Sequence, residues 1–391
     1  MSNHSNKVYY DAKGRAHRRG PLNSSERHHH HHRHHRSTAQ KILLVILYVL
    51  IALAAIALVT WRVLDARGKT RLYRQTAEET PILAEIETEE QAGAEQEALE
   101  KAEEWKAGWV RYNGSVYEYN SDILTFLIMG IDQKTGTVQK AKDGISGGQA
   151  DGLYLVVINP DLKEYSIIAI NRNTITDIDV YDADGNFVGT GKAQICLQHG
   201  YGDGLEQSCE RQEKVVRNLF YNIPIHGYAA INLGAVEPLT DAVGGVTVPK
   251  MTFENGEIIY GDMQTLNGKD AYRYVQRRDL AVFDSASFRL EKQKEFVKAF
   301  MAKMKEEIKS NPAKAVEIFN AVTPYMVTNI GLSEVTYLTG QIGNYQFDSN
   351  IHGLKGTTIP AEEAQTEHEE FIYDEDALYD LMIQLFYKRV R

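Results

Sequence analysis

The chain has 391 residues, which is enough for one sizeable folded domain with attached segments but short for two large domains. Its formal net charge is -10 at pH 7. This charge argues against a general nucleic-acid-binding protein, because contacts with a phosphate backbone require a surface rich in Lys and Arg. We therefore expect no nucleic-acid partner.

Residues 1–41 form a basic, histidine-rich segment in which nine Lys and Arg residues are opposed only by Asp11 and Glu26. Such a composition predicts a disordered, solvated tail. The histidine-rich run at 28–35 could bind a metal or, when protonated, could add to attraction towards a membrane surface. A solvated basic tail is the simpler interpretation.

The next segment predicts a single transmembrane helix over residues 42–61. From Ile42 to Trp61 the chain has no charged residue, and about 20 apolar residues are needed to cross the hydrocarbon core. A cleaved signal peptide is disfavoured, since its apolar region is expected to be about 7–15 residues long. The basic flank precedes the helix, so the tail should be cytoplasmic and the C-terminal part extracytoplasmic in a single-pass protein of the cell membrane.

Residues 62–116 predict a helical stalk followed by a short hairpin. The stalk is rich in Ala, Glu, Gln, Lys and Arg, and its apolar positions are mostly alanine, which favours a solvated helix. Asn113-Gly114 then stands between alternating apolar residues, which is a signal for a two-residue hairpin turn. The folded domain is predicted over residues 117–391.

Within that domain, short apolar runs alternate with amphipathic segments, which predicts an α/β/α layered domain around a central mixed sheet. The predicted strands are Ile123–Gly130, Leu153–Asn159 and Tyr165–Ile170, and the predicted helices are Arg211–Tyr221, Leu233–Ala242, Lys269–Tyr274, Phe288–Lys309 and Glu375–Tyr387. The only two cysteines, Cys196 and Cys209, lie in the exported part, where a disulfide is permitted. Their spacing does not decide between a disulfide and two unlinked thiols.

Two groups of side chains indicate an anion site. Asp132 and Asp151 lie at the ends of neighbouring predicted strands, where two carboxylates can jointly hold Mg²⁺, although aspartates there more often cap turns. The arginines that follow or flank these elements are Arg172, Arg277, Arg278 and Arg289. Arginine forks pair with phosphate oxygens, but each of these could equally be a surface or salt-bridging residue.

The order of the motifs resembles the LytR-CpsA-Psr family from about Ser121 to the C-terminus. The matching segments are Ile128–Asp132, Gln149–Asp151, Ile170–Thr174, Lys192–Gly200, Leu239–Val248, Leu266–Arg278 and Arg289–Gln293. No one segment is specific, but seven in the family's order behind a single membrane helix favour this assignment.

The resemblance implies a central sheet between helices and an apolar cavity for a polyprenyl tail. It implies transfer of a glycopolymer from an undecaprenyl-pyrophosphate carrier at the cytoplasmic membrane to peptidoglycan, as a Mg²⁺-dependent phosphotransferase. By position, Asp132 and Asp151 match the metal-associated aspartates. The catalytic positions matched are Arg172, Asn173 and Arg278, and the substrate-binding positions are Arg172, Arg277, Arg278, Arg289, Lys292 and Gln293.

Five positions depart from the family pattern. Gln149 stands where the family usually has Arg, Gly152 where it has Thr, Asn173 where it has Asp, and Gln276 and Lys292 where it has Arg. Most of these changes remove a charge or a bidentate fork, which predicts weaker diphosphate binding. An amide at 173 cannot accept a proton. The alternatives to a transferase are therefore a lipid-pyrophosphate-binding sensor or scaffold and a lipid pyrophosphatase that uses water.

Overall fold

The computed structural model describes residues 9–10, 12–14, 16–17, 38–76, 81–83, 105–133, 137–254, 257–277, 284–364 and 368–390. The chain separates into two compact units, Met1–Ala57 and Leu58–Arg391.

The first unit contains a short strand pair and the beginning of a long helix. Strands β1 (Tyr9–Tyr10) and β2 (Ala16–His17) pair in antiparallel fashion. The helix α1 (Thr38–Gln75) is long and apolar enough over Ile46–Arg74 for a single membrane span. Its large apolar side chains from Ile46 to Val59 are all exposed, as expected for a helix that is surrounded by lipid. The histidine run of the predicted tail lies outside the described residues.

The second unit is built on a mixed seven-stranded sheet. Its strands are β5 (Leu124–Ile131), β6 (Ala150–Asn159), β7 (Glu164–Ile170), β10 (Gly227–Asn232), β13 (Met326–Thr328), β14 (Gln346–Phe347) and β15 (His352–Gly353). The order is β13-β10-β5-β6-β7-β14, and β15 also pairs with β7. The β5–β6–β7 meander is antiparallel, whereas β10 is parallel to β5 and both β14 and β15 are parallel to β7.

Smaller strand pairs surround this sheet. They are β3 (Trp109–Tyr112) and β4 (Ser115–Tyr119) with β18 (Tyr387–Arg389), β8 (Ile175–Tyr181) with β9 (Phe187–Gln194), β11 (Val246–Glu254) with β12 (Glu257–Leu266), and β16 (Gly356–Ile359) with β17 (Glu370–Tyr373). The β8–β9 and β11–β12 pairs are antiparallel hairpins.

The helices after α1 are α2 (Glu206–Leu219), α3 (Val236–Ala242), α4 (Gly268–Gln276), α5 (Ser285–Ser310), α6 (Ala313–Val322), α7 (Leu332–Asn344), α8 (Ala361–Ala364) and α9 (Glu375–Phe386). Within the described part of the chain, the 3₁₀ segments Ile195–Gly200, Leu233–Ala235 and Thr323–Tyr325 join other elements. The predicted helices are all present, with shifted ends. Helix α2 begins at Glu206 rather than Arg211, and the Asp203 carboxylate accepts the backbone N–H of Leu205 just before it.

Helices cover both faces of the sheet, so the unit has three layers. Alternation along β5 places Leu127 and Met129 in a core with α2 and α9. Phe126 and Ile128 face the opposite side, where they pack in clusters with residues of α5 and α7. The layered α/β/α architecture and the central mixed sheet predicted from the sequence are confirmed.

The C-terminal part of α1, from Leu58 onward, belongs to the second unit and packs against its other elements. Leu72 is only 1% exposed, the OH of Tyr73 donates to the Asp122 carbonyl at 3.0 Å, and Arg71 pairs with the buried carboxylate of Glu334 at 2.9 Å. The predicted solvated stalk therefore begins as a docked helix, because Leu72 and Tyr73 supply apolar contacts among neighbours that are mostly charged or polar. Residues 84–104 of the predicted stalk lie outside the described residues.

The predicted hairpin is formed by β3 and β4, with Asn113 at φ 47° and Gly114 at φ 74°, as its tight turn requires. The strand β18 pairs with β4, so strands that are far apart in the chain meet in one small sheet. The hairpin is thus part of the folded unit, and the boundary predicted at residue 117 falls within β4.

Candidate functional site

The two predicted metal-associated aspartates lie at the same end of the β5–β6 pair. Asp132 follows β5 directly and is exposed, and its backbone N–H donates to the Gln149 carbonyl at 3.0 Å. Asp151 is the second residue of β6. A register irregularity between Gly130 and Ile131 marks the place where the two strands separate. The antiparallel pairing thus brings the ends of the two strands together, as the sequence predicted.

Two predicted arginines converge on Asp151. Nη1 of Arg172, which follows β7, lies 2.8 Å from Oδ1 of Asp151. Nη1 of Arg289, on the first turns of α5, lies 3.2 Å from Oδ2. The three side chains are only 9–17% exposed, so water screens these charges weakly. Two guanidinium groups on one carboxylate leave a net charge of +1, which favours an anion nearby.

The guanidinium of Arg172 is also fixed by two further acceptors. Its Nη2 donates to the side-chain oxygen of Gln149 and to Sγ of Cys196 at 3.2 Å. Burial lowers the pKa of Arg172, but the neighbouring Cys196 and Asp151 outweigh that effect, and the net pKa is raised above its ordinary value. Among the described residues, the buried Nε of Arg172 has no hydrogen-bond partner. The side chain is therefore a permanently charged group whose Nε–H is still available as a hydrogen-bond donor.

A cavity of about 460 Å³ opens beside this cluster. Its lining residues are Asp132, Gln149, Arg172, Asn173, Gln194, Leu197, Ser285, Ala361, His368 and Glu369. Almost all of these side chains are polar. The cavity suits a polar or charged head group better than a hydrocarbon chain. We call it the head-group cavity.

Asn173, the predicted catalytic position, is buried at the wall of this cavity. Its side-chain oxygen accepts a hydrogen bond from Nε2 of Gln194 at 3.2 Å, and the same Nε2 donates to the Glu369 carbonyl at 2.7 Å. Its backbone N–H donates to the side chain of Asn171. The amide is therefore held in place, but it has no basic atom with which to accept a proton.

Three other predicted positions meet at the C-terminal end of α4. Nζ of Lys292 donates to the Arg277 carbonyl at 2.8 Å, and Nε2 of Gln293 donates to the Val275 carbonyl at 3.2 Å. Burial, together with the charges of Arg277 and Arg289, lowers the pKa of Lys292 to about 8. These two side chains hold the backbone of the segment that leads to Arg277, rather than lining the head-group cavity.

The side chain of Arg277 is exposed, and Arg278 lies outside the described residues. Gln194 and Cys196 are site residues that the sequence did not predict, although both lie within a segment that resembles the family. They lie next to Arg172 and Asn173 because β9 pairs with β8 and the following N–H groups of Ile195 and Cys196 donate to the Thr174 and Arg172 carbonyls. No local signal in the sequence reports this placement. Cys196 and Cys209 are both free and buried, so the disulfide alternative is not realised.

The fold and these motifs have known counterparts. A family model described as the LytR_cpsA_psr family matches residues 82–385. The chain belongs to the LytR-CpsA-Psr family. The motif order that suggested this family in the sequence is thereby confirmed.

Curated relatives match only part of the chain. A polyisoprenyl-teichoic acid–peptidoglycan teichoic acid transferase TagU of Bacillus licheniformis is 27% identical over 168 residues, which are 41% of this chain and 45% of the relative. A TagU of Bacillus cereus is 30% identical over 129 residues, which are 33% of this chain and 34% of the relative. The matches thus span less than half the length of these relatives.

Solved structures share the fold of this LytR-CpsA-Psr protein. A Streptococcus agalactiae protein superposes with a TM-score of 0.53 at 19% identity, covering 67% of this chain and 86% of that one. Crystalline B. subtilis TagV superposes with a TM-score of 0.51 at 20% identity, covering 67% of this chain and 95% of TagV. At sequence identities this low, the similarity shows a shared fold alone.

Proposed function

We propose that this protein transfers a glycopolymer from an undecaprenyl-pyrophosphate carrier to peptidoglycan on the outer side of the cytoplasmic membrane. The convergence of Arg172 and Arg289 on Asp151 at the head-group cavity is the observation that carries the proposal. The names of the TagU relatives support it, since they describe the transfer of teichoic acid to peptidoglycan. The basic flank before α1 supports an extracytoplasmic position of the domain.

The charges at the cavity fit Mg²⁺ as a cofactor. The charges of Arg172, Arg289, Asp132, Asp151 and Glu369 sum to -1, and a pyrophosphate that bridges a lipid and a sugar adds two negative charges. A divalent cation on Asp132, shared with Asp151, would balance them. Among the described residues no group of three metal-ligating side chains occurs. A pair of carboxylates suffices, because Mg²⁺ commonly completes its shell with water and substrate phosphates.

The residues of the chain then divide the chemistry between binding and positioning. Arg172 and Arg289 would neutralise the pyrophosphate, and the spare Nε of Arg172 is a donor for one of its oxygens. A peptidoglycan hydroxyl would attack the sugar-proximal phosphorus, the bond between this phosphorus and the bridging oxygen would break, and undecaprenyl phosphate would leave. The proton of the hydroxyl would pass to solvent water. Bound Mg²⁺ would supply charge neutralisation on the departing phosphate. Such phosphoryl transfers depend mainly on positioning and charge stabilisation, so the lack of a base at Asn173 need not stop them.

The state of Asn173 also supports a second candidate, a lipid-pyrophosphate-binding sensor or scaffold that has lost turnover. The buried amide at that position is held by Gln194 and cannot take a proton. A pyrophosphatase, in which water replaces the peptidoglycan hydroxyl, is a third candidate. All three share the head-group cavity and differ in what attacks the phosphorus.

A transfer assay on the full-length protein in lipid nanodiscs separates these candidates. With Mg²⁺, lipid-linked glycopolymer and peptidoglycan, a transferase yields glycopolymer-bearing peptidoglycan, and a pyrophosphatase releases undecaprenyl phosphate without any acceptor. A sensor binds the donor and does neither. Arg172→Ala should weaken donor binding by roughly 1.5–3 kcal/mol, and Arg172→Lys should recover little of it. The exposed Arg273, changed to Ala, is the matched control.

The hydrocarbon part of the carrier needs an apolar surface. The resemblance predicts an elongated cavity lined by aliphatic and aromatic side chains, with its mouth near Arg172 and Arg278. Tyr154 and Ile167, on the face of the sheet towards α5, pack in one cluster with Leu290 of α5. We propose that the lipid enters between this face and α5 by separating these side chains.

A further inference from the structure

A second cavity, of about 510 Å³, adjoins the head-group cavity. The two share Gln149 and Leu197 as lining residues. Beyond these, the second cavity is bounded by Ile145, Ser146, Tyr181 and Tyr201, together with backbone at glycines. No lining side chain carries a charge. We call this space the tyrosine groove.

The two tyrosines of the groove are fixed by one arginine. The guanidinium of Arg211, on α2, lies 3.4 Å from the centre of the Tyr181 ring, and its Nη1 donates to the Tyr201 carbonyl at 3.0 Å. The two ring centres are 6.4 Å apart at an angle of 46°. A cation against an aromatic face is attractive. The two tyrosine side chains are therefore preorganised for a ligand.

Another part of the groove is a loop that backbone hydrogen bonds hold at two glycines. The N–H of Gly144 donates to the Ala183 carbonyl at 2.8 Å, and the N–H of Gly147 donates to the Gly200 carbonyl at 2.9 Å. A Cβ added at Gly147 would lie 2.6 Å from the His199 carbonyl oxygen, so only glycine allows this approach. Ile145, between the two ties, stays 48% exposed. An exposed aliphatic side chain in a fixed loop is suited to contact with a ligand.

We propose that the tyrosine groove binds an uncharged pyranose ring of the acceptor glycan, an inference that rests on the proposed function. Sugar rings offer C–H faces to aromatic rings and hydroxyls to polar groups, which matches Tyr181, Tyr201, Ser146 and Gln149. The donor is already held by its charged pyrophosphate. The acceptor hydroxyl has no charge for the arginines to bind, so it needs a separate neutral surface that positions it beside the phosphorus.

Direct binding tests the proposal without any transfer. The probe is an uncharged oligomer of N-acetylglucosamine. It is titrated into the full-length protein in nanodiscs without lipid donor, and binding is followed by calorimetry. Tyr181→Ala should weaken binding by about tenfold, which corresponds to about 1.4 kcal/mol. Tyr181→Phe should bind as the unchanged protein does, because it keeps the ring. Tyr260→Ala, an exposed tyrosine on β12, is the matched control and should change nothing.

Because Arg211 packs on Tyr181, the alanine variant could lose local structure. Ile145→Asp is a second variant for that case, since the exposed side chain of Ile145 can change without disturbing the core. This variant should weaken oligosaccharide binding by about tenfold and leave binding of the lipid donor unchanged. In the transfer assay, the same variant should raise KM for peptidoglycan and not for the donor.

An oligosaccharide that binds Ile145→Asp and Tyr181→Ala as tightly as the unchanged protein would overturn the groove assignment, even if transfer activity is present. A rise in KM confined to the lipid donor would overturn it as well, because it would assign the groove to the donor sugar. Loss of transfer with oligosaccharide binding intact at the groove would instead count against the proposed function alone.

Discussion

Arg172 donates a hydrogen bond to the side-chain oxygen of Gln149, the residue that stands where LytR-CpsA-Psr proteins usually have arginine. From the sequence alone, the missing arginine predicts weaker diphosphate binding. The contact changes that interpretation, because glutamine is here an acceptor that fixes Nη2 of Arg172, while Asp151 pairs with Nη1. A second arginine at this position could not accept a hydrogen bond.

Restoring the family residue by Gln149→Arg is therefore expected to reduce donor affinity. The change replaces an acceptor with a cation next to Arg172, and the loss of one charge-assisted contact costs roughly 1.5–3 kcal/mol. Lipid-donor binding to full-length protein in nanodiscs measures the effect. The exposed Gln276 is the control, since Gln276→Arg also restores a family arginine but disturbs no contact of Arg172. Higher affinity in Gln149→Arg would contradict the acceptor role.

Metal dependence should reside in Asp132. Asp132→Asn removes the exposed carboxylate of the cavity, so adding or chelating Mg²⁺ should no longer alter donor binding, as a hard cation requires anionic oxygen ligands. The unchanged protein should lose at least about tenfold in affinity on chelation. The measurement is a donor titration with Mg²⁺ and with a chelator. Asp270→Asn, on the surface of α4, should behave as the unchanged protein. Equal binding with and without Mg²⁺ in the unchanged protein would remove the metal from the proposal.

Asn173→Asp tests whether this position limits the rate. Gln194 can donate to a carboxylate oxygen as it does to the amide, so the side chain should keep its place. If the position supplies a base, kcat should rise by about 10²-fold or more while KM for the donor changes little. Asn186→Asp, at an exposed turn, provides the control for an added charge. An unchanged kcat would show that charge stabilisation, rather than proton acceptance at this position, sets the rate.

Lys292 should make stability depend on pH in a defined window. Its pKa is about 8 in the folded protein against 10.5 for an ordinary lysine. Between these values the unfolded chain binds the extra proton and the folded chain does not, so the free energy of unfolding should rise with pH. Chemical unfolding at about pH 7 and about pH 10 should therefore show the unchanged protein gaining stability relative to Lys292→Met and Lys292→Arg. A difference that is constant with pH would contradict deprotonation of the buried lysine.

The proposed orientation in the membrane rests on the charges that flank α1. Protease added to intact cells should degrade the region after Trp61 and spare the basic tail, because the positive flank favours the cytoplasm. Epitopes placed at the two termini report the result on immunoblots. Permeabilised cells, in which both termini should become sensitive, are the control. Survival of the C-terminal epitope in intact cells would reverse the proposed orientation.

Much of the fold could be predicted from local sequence. The uncharged run after Lys41 predicts the span, Asn113-Gly114 predicts a hairpin turn, and the apolar runs of β5, β6 and β7 predict buried strands. These features depend on side-chain periodicity and turn chemistry within a few residues, so the local sequence contains the information that predicts them. Placing Asp132 and Asp151 at the ends of neighbouring strands also followed from the sequence.

Tertiary packing alone decided which groups meet. Arg172 and Arg289 are far apart in the chain, and only the packing of α5 against the sheet brings both to Asp151. The same packing turns Lys292 towards the Arg277 carbonyl and away from the head-group cavity. Residue type and spacing specify what a side chain can do, but its partners are set by contacts between elements distant in sequence, which no local pattern records.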